Sequence, residues 1–366
     1  MNLVFNENKK SSQYMEKQHP LFFGDLPGLF DTVNKTYPKI WSLYKTMKSL
    51  DWSEDEFDYT QCNTDFKNCP KSVYDMMIRT LAWQWEADSV ASRSIAPVLA
   101  PFITDSSLWA AWQRISDNEI IHSATYSEIV RISFDNPEKV LSDILSVKES
   151  IVRMHSVNEV FSELSVASHK YALNQITADE AYDKLLLGVV ALYLLERIQF
   201  MASFAITFTI CSTNLFQPIG KAVQKIAQDE LEVHAELDKE VIKIELATAR
   251  GLDSYKRQKD KIKALCDEVI NSEMAWSDYL FSEGRELVGT NSQTIKNWVL
   301  FNAREVYKFL DVETNFKFPA KNPMPHVEDW INIGNSQAAP QEQDNNAYKV
   351  NVVHRDDIKT SFEVDF

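Results

Sequence analysis

Between Pro137 and Pro218 the chain contains no proline, and none again between Pro218 and Pro319. Proline removes a backbone donor and clashes with the preceding turn, so it punctuates most folds every few dozen residues. Glycine is almost as scarce, at 8 of 366 residues. Stretches so free of breakers predict long helices and argue against a many-turned β sandwich or barrel. Apolar spacing divides them into helices over 37–50, 71–96, 106–134, 138–170, 178–214, 219–249, 256–283 and 292–312. Pro38 and Pro70 suit helix starts, and Thr104-Asp105-Ser106 can cap the helix that follows. Residues 1–35 read as an irregular arm, 51–69 as polar and turn-like, and 318–325 as a proline-rich turn. From Asn335 the chain turns polar, which divides it into a helical domain over 1–334 and a flexible tail over 335–366.

The charge excludes some functions. With 53 acidic against 38 basic residues the net charge is −15, which argues against a nucleic-acid binder, since that would need a basic face to neutralise phosphates. The most apolar stretch, Leu185 to Cys211, is cut by Glu196, Arg197 and Gln199, so it reads as a buried helix and not a membrane span. MNLVFNENKKSSQ lacks the apolar core of a signal peptide, and four cysteines without zinc spacing suit reduced thiols. A cytoplasmic protein is expected.

Four features could carry chemistry. In DNEIIHSATYSEI, Glu119 and His122 are three apart and share a helix face, with Tyr126 a further turn along, about 40° round and about 6 Å up the axis. In IAQDELEVHAEL, Glu230 and His234 are four apart. Either pair alone is weak, because Glu is common and amphipathic helices carry such pairs by accident. The third feature is stronger. VVALYLLERIQFMASFAITF is apolar almost all round, yet holds Glu196 at its middle. A carboxylate buried there costs several kcal/mol unless paired or bound to a metal. Arg197 is a weak partner, since adjacent helical residues project about 100° apart. The fourth is Asp88 in LAWQWEADSVASRSI, with Glu86 as an alternative about 200° round the same helix. Periodicity does not choose between them.

Two helices that each supply a carboxylate, and two that each supply a Glu and a His one turn apart, make up the known di-iron or di-manganese pattern of ferritin-like bundles. Four carboxylates against two divalent ions leave such a site near neutral, and oxygen and imidazole donors suit iron or manganese. The sequence further resembles the small, radical-generating subunit of class I ribonucleotide reductase. The resemblance runs from Phe22-Phe23-Gly24 to the tail. It is carried by Trp52 in LDWSEDEFDY, Asp88, the run Glu119 to Tyr126, LLERIQF around Glu196, IAQDE at 226–230, NPMP at 322–325 and AAPQE at 338–342.

That resemblance implies an all-α, ferritin-like helical bundle with additional helices and a flexible C-terminal tail. It implies Asp88, Glu119, His122, Glu196, Glu230 and His234 as metal ligands, holding two iron ions, with manganese the other candidate. Tyr126 would be oxidised to a stable radical with the help of dioxygen, in an apolar pocket of Phe200, Phe204 and Ile226. Trp52, Asp229 and His122 would form the inner part of a proton-coupled electron path. Tyr348 would relay the oxidising equivalent to a large catalytic subunit, on which the tail docks and where ribonucleotides are reduced. A homodimer is implied as well.

Two positions depart from the family pattern. Glu230-Leu-Glu-Val-His234 is one residue longer than Glu-x-x-His, which calls for a π-bulge or an altered i,i+4 geometry. Glu232 is a poor substitute, about 160° from Glu230. Gln228 stands where relatives usually have Arg. The rivals are a stand-alone di-metal oxidase or desaturase, which would need a substrate tunnel and no relay tail, and a helical scaffold or metal-storage protein.

Overall fold

The computed structural model describes residues 19–25 and 30–332. Fourteen α-helices occur among them, with two isolated β-bridges and no strand. They are α1 (Pro38–Ser49), α2 (Thr60–Asn68), α3 (Lys71–Leu99), α4 (Ser106–Ser133), α5 (Pro137–Leu145), α6 (Lys148–Arg153) and α7 (His155–Ala172). After these come α8 (Ala178–Leu194), α9 (Met201–Cys211), α10 (Gln217–Gln228), α11 (Ala235–Leu246), α12 (Ala249–Leu280), α13 (Ser292–Phe309) and α14 (Pro325–Ile331). The expected all-α fold is what forms.

Local signals start most of the helices. The Asp105 carboxylate accepts from Leu108 N at the start of α4, and Thr177 and Glu180 form a reciprocal capping box at α8. Thr248 caps α12 by accepting from Gly251 N. Any residue but proline could supply that N–H, yet glycine is required here for steric reasons: a Cβ at this position would lie 2.0 Å from the Glu245 carbonyl oxygen. The turn into α12 closes too tightly for any side chain.

Four helical runs make the centre of the bundle. The antiparallel pair α3 and α4 packs along its length, α9 lies on α3, and α11 lies on α8. Both of the last two runs carry a π-helical segment, Leu195–Gln199 between α8 and α9 and Asp229–His234 between α10 and α11, and the two segments touch. Ala178–Cys211 is thus one 34-residue helical run, long and apolar enough to cross a membrane, but 94% of its most apolar window is buried within the protein. Every residue of α9 is buried.

Several expected boundaries are corrected. Helix α3 continues through Pro97 to Leu99: the proline forfeits the one bond its missing N–H would make to the turn before it, and the Ala100 N–H still bonds the Ala96 carbonyl beyond it. Residues 51–69 contain a 3₁₀ turn at Glu54–Glu56 and the helix α2. The stretch 138–170 is not one helix: it breaks into α5, α6 and α7 at Ser146–Val147 and at Met154. Helix α6 turns aside because Arg153 is drawn into the core by Glu273 of α12. A short helix, α14, follows the proline-rich turn. The boundary at 334 and the tail over 335–366, Tyr348 included, lie outside the described residues.

Candidate metal centre

Asp88 on α3, Glu119 and His122 on α4, Glu196 on the first π segment, and Glu230 and His234 on the second converge in the bundle interior. Each is no more than 1% exposed. Their donor atoms form two overlapping groups, Asp88–Glu119–His122–Glu230 and Glu119–Glu196–Glu230–His234. Within each group the atoms lie within 4.8 Å of one another. Glu119 and Glu230 belong to both groups, so each could contribute to holding either of two ions.

Local conformation explains how an i,i+4 pair reaches this place. The π turn at Asp229–His234 absorbs the additional residue, so that His234 Nδ1 lies 3.0 Å from Glu230 Oε2 and 3.4 Å from Glu119 Oε1. Glu232, on the far side of that turn, is exposed. Glu86 is likewise excluded. It is half-buried and accepts a hydrogen bond from Ser150 Oγ, while Asp88 faces inward. Arg197 donates to Asn302 Oδ1 at 3.1 Å.

The cluster is electrostatically unfinished without cations. Asp88 Oδ1 and Oδ2, Glu119 Oε2, Glu196 Oε2, Glu230 Oε1 and His122 Nδ1 are all buried and without a hydrogen-bond partner. Burial, then the charges of Glu119 and Glu230, push the Asp88 carboxyl well above its ordinary range. Burial and the neighbouring Glu230 do the same to Glu196. Burial opposes ionisation of Glu230 too, but Glu196, His122 and His234 outweigh it and hold that carboxyl below its usual value. His234 is pulled down by burial yet raised overall, to about 10, by Glu230 and Glu119. His122 is raised well above its ordinary value by Asp229, Glu119 and Glu230, against the same penalty. Unpartnered carboxylate oxygens beside imidazole nitrogens are the donor set of iron or manganese, and two divalent ions would satisfy it.

Trp52, Tyr126, Phe200, Phe204, Ile226, Gln228 and Asp229, also singled out in the sequence, are buried as well. Trp52 Nε1 donates to Asp229 Oδ2 at 2.7 Å, and His122 Nε2 lies 3.1 Å from the same oxygen. The Trp52 ring also stacks on His122, with centroids 5.9 Å apart. Tyr126 is fully buried one turn beyond His122, its hydroxyl unpartnered. Burial, then the charge of Asp88, pushes its phenol well above the usual range. Phe200, Phe204 and Ile226 are buried, and Phe200 stacks on Phe204 at 5.4 Å. Gln228 is buried with its Nε2 unpartnered.

Sequence reasoning missed two elements of this region. Asn118 is buried against His234, its Nδ2 3.4 Å from Nε2 of the imidazole. Asp238 is buried and accepts from Trp112 Nε1 at 3.1 Å. Neither carries a local signal: an Asn beside Glu119 and an Asp on an acidic helix both look like surface residues.

The ribonucleotide reductase small chain family matches residues 29–323. The chain belongs to that family. Among curated members of it, the ribonucleoside-diphosphate reductase subunit beta of Buchnera aphidicola is 25% identical, with 98% of each chain covered. That of Enterobacteria phage T4 is also 25% identical, with 97% of each covered. Solved small chains share the fold. The R2 subunit from Clostridium botulinum superposes with a TM-score of 0.77 at 16% identity, over 90% of this chain and 98% of that one. Dimanganese(II)-NrdF of Streptococcus sanguinis superposes with a TM-score of 0.67 at 15% identity, over 82% and 98%.

Proposed function

We propose that this chain is the small subunit of a class I ribonucleoside-diphosphate reductase, which works with a large subunit to reduce ribonucleotides to deoxyribonucleotides. The observation that carries the reading is the pair of overlapping carboxylate–histidine groups beside a wholly buried tyrosine. Family membership favours it over a stand-alone oxidase or desaturase. Asp88, Glu119, His122, Glu196, Glu230 and His234 would hold two iron ions, or manganese as in the dimanganese(II) neighbour. Once bound, the metal pair with dioxygen supplies the oxidising power that removes one electron and one proton from Tyr126.

The protein's own residues then protect and conduct. Phe200, Phe204 and Ile226 keep water and reductants away from the Tyr126 ring. Asp229 accepts from Trp52 Nε1 and from His122 Nε2, so a single carboxylate joins the buried imidazole to an indole nearer the surface. Electron and proton can shift together along that line. Tyr348 and the tail over 335–366 complete the path to the large subunit. The chain acts as a homodimer in the cytoplasm, where a reducing environment suits its four unpaired cysteines.

The test is electron paramagnetic resonance after anaerobic loading with ferrous iron and exposure to air, beside a Tyr126→Phe control. A tyrosyl signal that the control lacks is expected. Stoichiometric iron uptake without the signal would point to manganese as the working metal or to a stand-alone di-metal oxidase.

A further inference from the structure

The two histidines of the centre are backed by different groups. Behind His122, Nε2 meets the Asp229 carboxylate, and Nδ1 is left facing the metal ligands Glu230 and Glu119 at 3.1 and 3.5 Å. Behind His234, the polar group at Nε2 is an amide and not a carboxylate; Asp238, one turn on, instead accepts from Trp112 Nε1. The His234 Nε2 faces Nδ2 of Asn118 at 3.4 Å. Asn118 is 3% exposed, and its Oδ1 is buried without a partner. Two nitrogens thus face each other while an acceptor goes unused alongside. A half-turn of the amide about its last side-chain bond exchanges nitrogen and oxygen without changing shape. The imidazole Nε2–H then donates to Oδ1, and the orphaned acceptor is satisfied. The proton is fixed on Nε2, which leaves Nδ1 bare toward Glu230 Oε2 and Glu119 Oε1.

We propose that Asn118 is a positioning residue whose Oδ1 accepts from His234 Nε2–H and holds that imidazole as a neutral Nδ1 donor to one ion of the pair. The proposal rests on the dinuclear reading. A ligating histidine is ordinarily oriented and tuned by the group bonded to its other nitrogen. Here the two backing groups differ, a carboxylate for His122 and a neutral amide for His234. His234 is therefore the weaker donor and the one more dependent on geometry.

The experiment is an anaerobic Mn(II) titration of the full-length chain, with free Mn(II) read by electron paramagnetic resonance. The metal-free thermal melt serves as the folding control. Wild type should bind two ions per chain. Asn118→Leu should keep one ion at the wild-type affinity and weaken the other by about 10- to 100-fold. Asn118→Asp retains an acceptor at the same place and should hold both. Undiminished binding of two ions by Asn118→Leu would overturn the proposal. So would equal weakening in both variants, or loss of both ions together with a lowered melt, since those mark a packing role. A wild-type chain that binds no pair of ions would instead remove the dinuclear reading, and this inference with it.

Discussion

Replacing Glu196 by Gln separates a metal ligand from a structural acid, because the two roles predict opposite signs. Glu196 is 1% exposed, has an unpartnered Oε2, and shares its space with Glu230. In the metal-free protein a buried carboxylate beside another is a liability, and the isosteric amide can donate to Glu230 instead. Folding at neutral pH must put a proton on this buried carboxyl, and the amide removes that cost, so it should stabilise the metal-free chain by roughly 2 kcal/mol. With an unfolding entropy of about 2.1 cal/mol/K per residue, 366 residues give about 0.77 kcal/mol/K, so the melt should rise by about 2–3 °C. Metal reverses the comparison. Two ions, each at a hundred times its dissociation constant, add about 5.4 kcal/mol, or about 7 °C, to wild type. Glu196→Gln forfeits at least one ion's share, so its metal-induced rise should be about 3.5 °C or less. Differential scanning fluorimetry with and without Mn(II) reads both numbers. A variant that melts lower than wild type without metal, yet keeps the full rise with it, would refute the reasoning.

Other outcomes follow from the same geometry. Trp52→Phe deletes the donor to Asp229, so the tyrosyl signal should form normally while turnover with the large subunit falls to background; parallel loss of both would place Trp52 in the assembly of the centre and not in the path. Burial pushes Asp238 up to about 7, so the folded state keeps its proton to higher pH than the unfolded chain, and metal-free stability should fall as pH rises from about 4 to about 7. Asp238→Asn still accepts from Trp112 and should flatten that slope, worth at most about 4 kcal/mol; urea melts at pH 5 and pH 8 would show an unchanged slope if another group is responsible. Arg153 is buried between the rings of Trp83 and Trp276 and is paired with Glu273, so Arg153→Met should cost about 3–5 kcal/mol by stranding the acid. The double variant Arg153→Met/Glu273→Gln should recover most of that in denaturant melts, and a double variant no more stable than the single would count against the pair.

How much of this was legible in the residues differs from element to element. The helical class was plain, because proline-free apolar periodicity leaves a chain few alternatives. The break at Ser146–Val147 was not, since neither residue is a breaker. It arises where Arg153 and Ser150 are taken up by Glu273 and Glu86 on other helices, which no local window contains. Glu196 announced itself by its apolar neighbours. Asp88 and Glu86 could not be told apart by periodicity alone, since only the packing of α3 on α4 turns one inward. Asn118 gave no sign at all, as its contact with His234 exists only where α4 meets the second π segment.

The π turn at Asp229–His234 has one more consequence. An extra residue in a regular helix would swing everything downstream by about 100°. The wider turn swallows that residue instead, so Leu237, Val241 and Ile242 still point into the core. The loop-out acts as a splice. It lets the spacing of two ligands drift by one place while the rest of the helix keeps its bearing. Deleting Val233 should accordingly be better tolerated than deleting a residue within α11, where no slack exists to take up the shift.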